Sequence, residues 1–327
     1  MRILKTSLAF ILSIIFLSSM CICSVNALQF SDGTFFYEIN ASTKTATIVK
    51  CSSSTAELTI PNNIEGYKVV AIDADAFAGN STLEVINFSD NMIAVGDYAF
   101  ENCTSLKEVI IPSTITNFGI NVFSGCTSLE TATVNMNIDR LPQGIFYNCS
   151  SLKTVNLNSS ITEYGNSAFY GCSSLTYAPS INNITELGQR TFQDSALTEV
   201  FIPNTIFEIP RNTFANCSEL TTVFIPDSVT TISTSAFKNS EKVNIYCYEN
   251  SAAHSYAKQN AINFTLLSFA DVNMDAKANI KDATSIQKYA CGLLHLDNLS
   301  LAIADVNEDG KVNVTDATTI QKYLIGT

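Results

Sequence analysis

Tryptophan is absent from the 327 residues, and histidine occurs only twice, as His254 and His295. That scarcity removes the usual material of a histidine-bearing zinc cluster or of a serine or cysteine nucleophile activated by imidazole. Positive charge is sparse as well: 18 Lys and Arg stand against 30 Asp and Glu, a net charge of −12, with no basic run. A chain this acidic is a poor match for a phosphate backbone, so nucleic acid is not expected as a partner. Long apolar runs are missing after the first residues. Met1-Arg2, Lys5, the apolar stretch from Leu8 to Leu17 and the small residues Val25-Asn26-Ala27 follow the order of a secretory signal peptide, expected over residues 1–27. Ser18, Ser19 and Ser24 leave that stretch short for a membrane span, and Cys21 and Cys23 would depart with the peptide. The mature chain is therefore expected outside the cell with no membrane span.

What is present in quantity is periodic. Phenylalanines stand at Phe77, Phe100, Phe123, Phe146, Phe169, Phe192, Phe214 and Phe237, 23 residues apart except for one interval of 22. Six residues after most of them comes a leucine, at Leu83, Leu106, Leu129, Leu152, Leu175 and Leu220. Val109, Ile111, Ile115 and Phe118 complete the set in a clear copy, and the short repeat keeps it as Leu197, Val200, Ile202, Ile206 and Ile209. Residues 55–76 hold a partial copy with Leu58, Ile60, Pro61, Ile64 and Ile72. A unit of this length cannot bury its own apolar face, so stacked neighbours must supply the core. Val109 and Ile111 alternate as in a short strand, which Pro112, Pro203 and Pro226 terminate in their repeats. The Ala-Phe segment ending in Asn-Cys or Gly-Cys is expected as a short helical turn between strands. The result is a right-handed parallel coil of about nine turns, on the order of 40 Å long at a strand spacing of roughly 5 Å.

The pattern Ala-Phe-x-x-Cys-x-x-Leu-x-x-Val-x-Ile-Pro-x-x-Ile, clearest from Ala99 to Ile115, resembles the BspA-type leucine-rich repeats of bacterial surface and secreted proteins. The resemblance covers residues 55–250 and implies an α/β leucine-rich repeat solenoid that binds other molecules, without naming them. Tyr177-Ala178-Pro179 in the strand slot and the deletion before Leu197 predict a local bend or bulge. Residues 28–54 are expected to cap the first turn. Residues 251–267, an amphipathic helix followed by an extended segment, are expected to cap the last.

Cys103, Cys126, Cys149, Cys172 and Cys217 all stand three residues after the repeat phenylalanine, where other repeats place Asn80, Ser195 and Ser240. Interchange with Ser and Asn indicates a small side chain that meets backbone groups at a turn. Disulfides between stacked neighbours are disfavoured because their Cβ atoms point the same way, and Cys51 and Cys247 lie near opposite ends. On the outward strand positions, Tyr177, Phe201 and Phe224 gather towards one end. They could hold a protein or glycan by aromatic contact, or serve only cross-strand packing.

The last sixty or so residues carry a duplicated loop. Asp271, Asn273, Asp275, Asn279 and Asp282 occupy loop positions 1, 3, 5, 9 and 12, and Asp305, Asn307, Asp309, Asn313 and Asp316 repeat them 34 residues later. Oxygen-bearing side chains at this spacing, with the carbonyls of Lys277 and Lys311 at position 7, suit calcium, a hard cation that takes six to eight oxygens. Two ions are expected. The turn glycine present as Gly310 is Ala276 in the first loop, where a left-handed conformation costs Ala about 1 kcal/mol, so the first site should be looser.

The loops lead into matching segments, Asp282-Ala283-Thr284-Ser285-Ile286-Gln287-Lys288-Tyr289 and Asp316-Ala317-Thr318-Thr319-Ile320-Gln321-Lys322-Tyr323, with no incoming helix expected before either loop. Over residues 268–327 the module is similar to type I dockerins, small all-α domains of bacterial cellulosomes. That resemblance implies calcium-dependent binding to a cohesin module of a scaffolding protein in polysaccharide degradation, with near two-fold symmetry. By family position, Ile280, Lys281, Gln287 and Lys288 on one helix, and Val314, Thr315, Gln321 and Lys322 on the other, would form the recognition surface. Neither half has the Ser-Thr pair of some dockerins, so the cohesin is not named by analogy.

Dockerins commonly carry glycoside hydrolases, which need two carboxylates facing each other across a cleft. Glu108, Glu130, Glu163, Glu186 and Glu199 are read as lying outside any single repeat column, and a slender solenoid offers no obvious cleft. The sequence therefore favours a non-catalytic, secreted binding protein. An accessory or unrecognised hydrolase or inhibitor is the alternative.

Overall fold

In a computed structural model of the chain, residues 29–275 and 277–326 are described; the expected signal peptide and Ala276 lie outside them. The apolar repeat positions build one continuous core along the stack. Each repeat phenylalanine from Phe100 to Phe214 is completely buried, and successive repeat rings from Phe77 to Phe237 stack with centroids 4.6–6.1 Å apart. Pairs of this kind contribute about 0.5–1.5 kcal/mol beyond their buried area, so the column is a cumulative source of stability.

Short parallel strands line one wall. Glu57–Thr59, Val85–Asn87, Glu108–Ile111, Thr131–Val134 and Thr154–Leu157 form one ladder. Glu199–Phe201, Thr222–Phe224, Asn244–Tyr248 and Asn263–Leu267 form another. Register follows the repeat, with Val109, Ala132 and Val155 side by side facing inward. The prolines act at the end of this wall: Ile115, Ile206 and Val229 donate back to the carbonyls of Pro112, Pro203 and Pro226, at 3.3, 3.0 and 3.2 Å. Between the two ladders, where Tyr177-Ala178-Pro179 fills the strand slot, the chain instead turns at Ser180, with φ of 51°, into a 3-10 turn over Ile181–Asn183. The buried Tyr164 hydroxyl donates to the Pro179 carbonyl there and satisfies it.

The wall that carries the phenylalanines is made of hydrogen-bonded turns, with no α-helix between residues 29 and 251. Two residues after each phenylalanine the backbone is left-handed, at Gly79, Asn102, Gly125, Asn148, Gly171, Asp194, Asn216 and Asn239. Gly, Asn and Asp tolerate that region best. Glycine has a second reason at Gly125 and Gly171, where a Cβ would come within 2.1 and 2.2 Å of the Asn102 and Asn148 amide oxygens. A helix cannot continue through such a column, so the turns bond between repeats instead. The Phe77, Phe100, Phe123 and Phe146 N–H groups donate to the carbonyls of Ala99, Val122, Ile145 and Ala168, at 2.8–3.1 Å.

The cysteines tie the same wall together. Cys103, Cys126, Cys149, Cys172 and Cys217 donate to the carbonyls of Phe77, Phe100, Phe123, Phe146 and Phe192 at 3.1–3.2 Å, and Ser240 does the same to Phe214 at 2.7 Å. All eight cysteines among the described residues are free thiols. Burial pushes the Cys149 and Cys172 thiols well above the usual range, so the ladder stays protonated and chemically quiet.

Both ends are covered. Strands Gln29–Ser31, Phe35–Asn40 and Thr45–Cys51 form an antiparallel meander over the first turn, with Phe35 packed edge-on to Phe77 at 6.4 Å. Helix α1, Ala252–Gln259, is capped by the Ser251 side chain and packs Tyr256 on Phe237 at 6.0 Å over the last. Asn263–Leu267 then adds a final parallel strand beside Asn244–Tyr248. Beyond it lie α2, Ile280–Ala290, α3, Asn298–Ala304, and α4, Val314–Ile325. Among the described residues no helix is long and apolar enough to cross a membrane.

Candidate calcium loops and docking surface

The two loops are folded by their own oxygens. Asp282 and Asp316 are completely buried at the third position of α2 and α4. One Asp282 oxygen accepts from the Asn273 N–H at 3.1 Å and the other from the Asn279 N–H at 2.8 Å. Asp316 accepts from Val306, Asn307 and Asn313 in the same manner, at 3.1, 3.3 and 2.8 Å. Asn279 and Asn313 are the N-caps, and each closes a capping box with its aspartate. Asp271 and Asn273 both accept from the Asp275 N–H, at 3.0 and 2.9 Å, and Asp305 and Asn307 accept from Asp309 at 3.0 and 3.1 Å.

This donor set fits calcium: carboxylate, amide and carbonyl oxygen, with no sulfur or imidazole. Among the described residues no three His, Cys, Asp or Glu side chains form a compact cluster. Burial, and then the charges of Asp316 and Asp309, raise the Asp305 carboxyl above its ordinary value despite the Gly310 and Asp309 amides that oppose the shift. A divalent cation would relieve that repulsion.

Behind the loops, Ala283 and Ile286 of α2 meet Ala317 and Ile320 of α4 in a small core with Ala270, Val272, Leu296 and Ala304. The equivalence of the two halves extends to detail. Thr284 and Ser285 bond back to Ile280 and Lys281, as Thr318 and Thr319 do to Val314 and Thr315, at 2.8–3.0 Å. Ile280 and Val314, the first residues of α2 and α4, are 57% and 56% exposed. Lys281, Gln287, Lys288, Thr315 and Lys322 are exposed as well, and Gln321 is half-buried. The halves differ at Thr315, whose hydroxyl accepts from Asn307 and donates to Asn313, both at 2.9 Å, so it belongs partly to its loop.

Helix α3, capped by Asp297, leads directly into the second loop, so that loop has the incoming helix that the sequence did not suggest. Its one local signal was the N-cap Asp297, because Leu299, Leu301 and Ile303 alternate and do not follow a helical period. Further apolar exposure lies at Leu293, Leu294, Tyr323 and Ile325, with Tyr323 edge-on to Phe269 at 5.0 Å.

The three candidate face residues fare differently. Tyr177 is 41% exposed and its hydroxyl accepts from the Val155 N–H at 3.1 Å. Phe201 is half-buried, and Phe224 is 4% exposed beneath Leu299 and Ile303 of α3. Burial first, then the charges of Asp227 and of Glu308 in the second loop, push the nearby Tyr248 hydroxyl up to about 12. Among the acidic residues, Glu163 and Glu186 do share a column, one repeat apart, and both bind Arg140, at 2.6 and 2.8 Å. Glu130 pairs with Lys153 at 2.9 Å.

Stacked strand-and-turn repeats around a phenylalanine column define a leucine-rich repeat solenoid, and paired Asx-rich loops with matched helices define a dockerin. The chain belongs to the BspA type leucine rich repeat family, which matches residues 70–195 and 165–265 in six copies, and it carries a dockerin type I domain over residues 269–325. Similar solved structures include a leucine rich cell surface protein from Faecalibacterium prausnitzii, 21% identical, covering 78% of this chain and 98% of its own at a TM-score of 0.44. A leucine-rich repeat protein from Eubacterium ventriosum is 24% identical, covering 66% and 51% at a TM-score of 0.47, and the T. pallidum leucine rich repeat protein is 17% identical, covering 74% and 100% at 0.42. No curated protein matches the chain. Repeats joined to a dockerin make this a cellulosome-type binding protein; type I dockerins bind calcium, and both families are typically extracellular or cell-surface.

Proposed function

We propose that the protein is a non-catalytic, secreted binding component whose dockerin holds two calcium ions and plugs into a cohesin on a scaffolding protein, presenting the solenoid to a protein or glycan. The observation that carries this reading is the pairing of exposed Ile280 and Val314 at equivalent positions of two helices, each anchored by a buried aspartate in its loop. Calcium would set the loops, the loops would set the start of each helix, and the helix starts would present the apolar contacts. Lys281, Gln287 and Lys288, with Thr315, Gln321 and Lys322, would surround them as a polar rim, the usual anatomy of a protein interface.

The test is binding of the full chain to a panel of cohesins, in calcium and in chelator. Binding is expected in calcium alone. Ile280→Asp or Val314→Asp singly should weaken it modestly if the near-symmetric surface can be used either way round, and the double variant should lower affinity by at least about a hundredfold, the loss of two apolar anchors. Binding that survives chelation, or that ignores the double variant, would overturn the reading.

A further inference from the structure

The outward strand positions of the solenoid change character where the dockerin begins. The column that holds Asn87, Ile110, Thr133 and Asn156 in the first ladder is exposed or half-exposed, and in the second it becomes Phe201, Phe224 and Tyr246, side by side in register. Phe224 takes no part in the continuous core of the stack, yet only 4% of it is exposed. What covers it is α3: Leu299 and Ile303, one helical turn apart, close on Phe224, with Phe201, Tyr246, Tyr248 and Leu267 around them.

Helix α3 shows the same division from its side. Ala304 belongs to the dockerin core, as does Leu296 just before the helix, with Leu301 packed on it, whereas Leu299 and Ile303 do not. A helix whose only duty was to join two loops would need one apolar face. This one has two, and the second fits the aromatic column. The Asn298 amide adds a hydrogen bond to the Glu199 carboxylate at the edge of the contact. Only Ser268, Phe269 and Ala270 separate the last solenoid strand from the first loop, so the effective concentration of the helix at the face is high and a small contact can hold.

We propose that α3 docks the dockerin onto the aromatic strand face of the terminal turns, so that solenoid and dockerin form one body and this face is occupied by the chain's own helix. The proposal needs neither calcium occupancy nor a cohesin to be read, and so stands apart from the binding function above. The face open to outside ligands is then the earlier ladder, and the aromatic residues are a socket for an internal helix.

Hydroxyl-radical footprinting of the full chain tests it. Normalised for intrinsic reactivity, Phe224 should label at least about tenfold more slowly than Phe207, as exposures of 4% and 62% imply. Leu299→Asp with Ile303→Asp should raise Phe224 labelling towards that of Phe207 while amide exchange in α2 and α4 stays as in the parent, because neither residue lies in the dockerin core. Should that pair unfold the module, the milder Ile303→Ser must still raise Phe224 labelling. Phe224 labelling as fast as Phe207 in the unaltered chain, or unmoved by the variants, would overturn the proposal.

Discussion

Asp282→Ala should open the first half of the dockerin while leaving the solenoid intact. Asp282 is completely buried and accepts from two backbone N–H groups, those of Asn273 and Asn279. Alanine accepts from neither, and a donor left without a partner costs about 1–3 kcal/mol when buried; these two are part-buried, so the lower end applies. Taking about 1 kcal/mol for each, the loss is about 2 kcal/mol, a large fraction of the stability of a domain this small. At 1.4 kcal/mol per decade, the opening equilibrium of α2 shifts by roughly thirtyfold. Native-state hydrogen exchange on the full chain reads this directly: α2 amides should lose about one and a half decades of protection while the amides of Glu108–Ile111 and Thr131–Val134 keep theirs. Asp271→Asn is the contrasting change. Asp271 accepts only from the Asp275 N–H among these amides, and an asparagine oxygen can keep that bond. Its α2 amides should stay protected in chelator to the same degree as the parent, with calcium affinity reduced. If α2 protection in Asp282→Ala lies within about threefold of the parent, the two hydrogen bonds do not hold the loop as argued.

Phe146→Ala, in the middle of the column, should cost about 4 kcal/mol in denaturant unfolding, whereas Phe36→Ala on the exposed face of the first cap should cost less than about 1 kcal/mol. Chelation should remove about 2.7 kcal/mol for each site that was a hundredfold saturated, seen as a lower melting midpoint of the helical circular dichroism with the strand transition unmoved. Cys149→Ser should cost less than about 1 kcal/mol, because Ser240 already fills the same slot and bonds the same kind of carbonyl. Burial pushes the thiols of Cys217 and Cys247 up to about 11 from 9.0, so the unfolded chain ionises first as pH rises. Their contribution to stability is therefore complete below about pH 9 and falls between pH 9 and 11, which thermal melts across that range will show. Over the same range site-resolved alkylation should mark exposed Cys291 ahead of both.

The 23-residue spacing of the phenylalanines was enough to give the stack, its register and its core, because a column that must touch itself leaves a strict period. The turn wall was harder to read. Its apolar spacing looked helical, and the deciding signal lay two residues after each phenylalanine, where Gly79, Asn102, Gly125 and Asn148 require a backbone that interrupts a helix. The loops were legible because each oxygen-bearing residue is fixed by its place in a short wrapped segment. Helix α3 was not, since a helix apolar on two faces lacks the one-sided pattern of an amphipathic one, and its second face is explained only by residues far back in the chain. Phe224 is the other half of that contact. Nothing near it in sequence distinguishes a socket from an open binding face.

On the phenylalanine wall the hydrogen bonds that join one turn to the next are nearly the same at every step, and the two caps touch only the terminal turns. A whole repeat can therefore be gained or lost by recombination between equivalent positions without remaking either end. Each such event would move the far end of the solenoid by roughly 5 Å relative to its anchor. The reach of the solenoid beyond the dockerin is thus a heritable length, adjustable in whole steps, while the dockerin stays as it is.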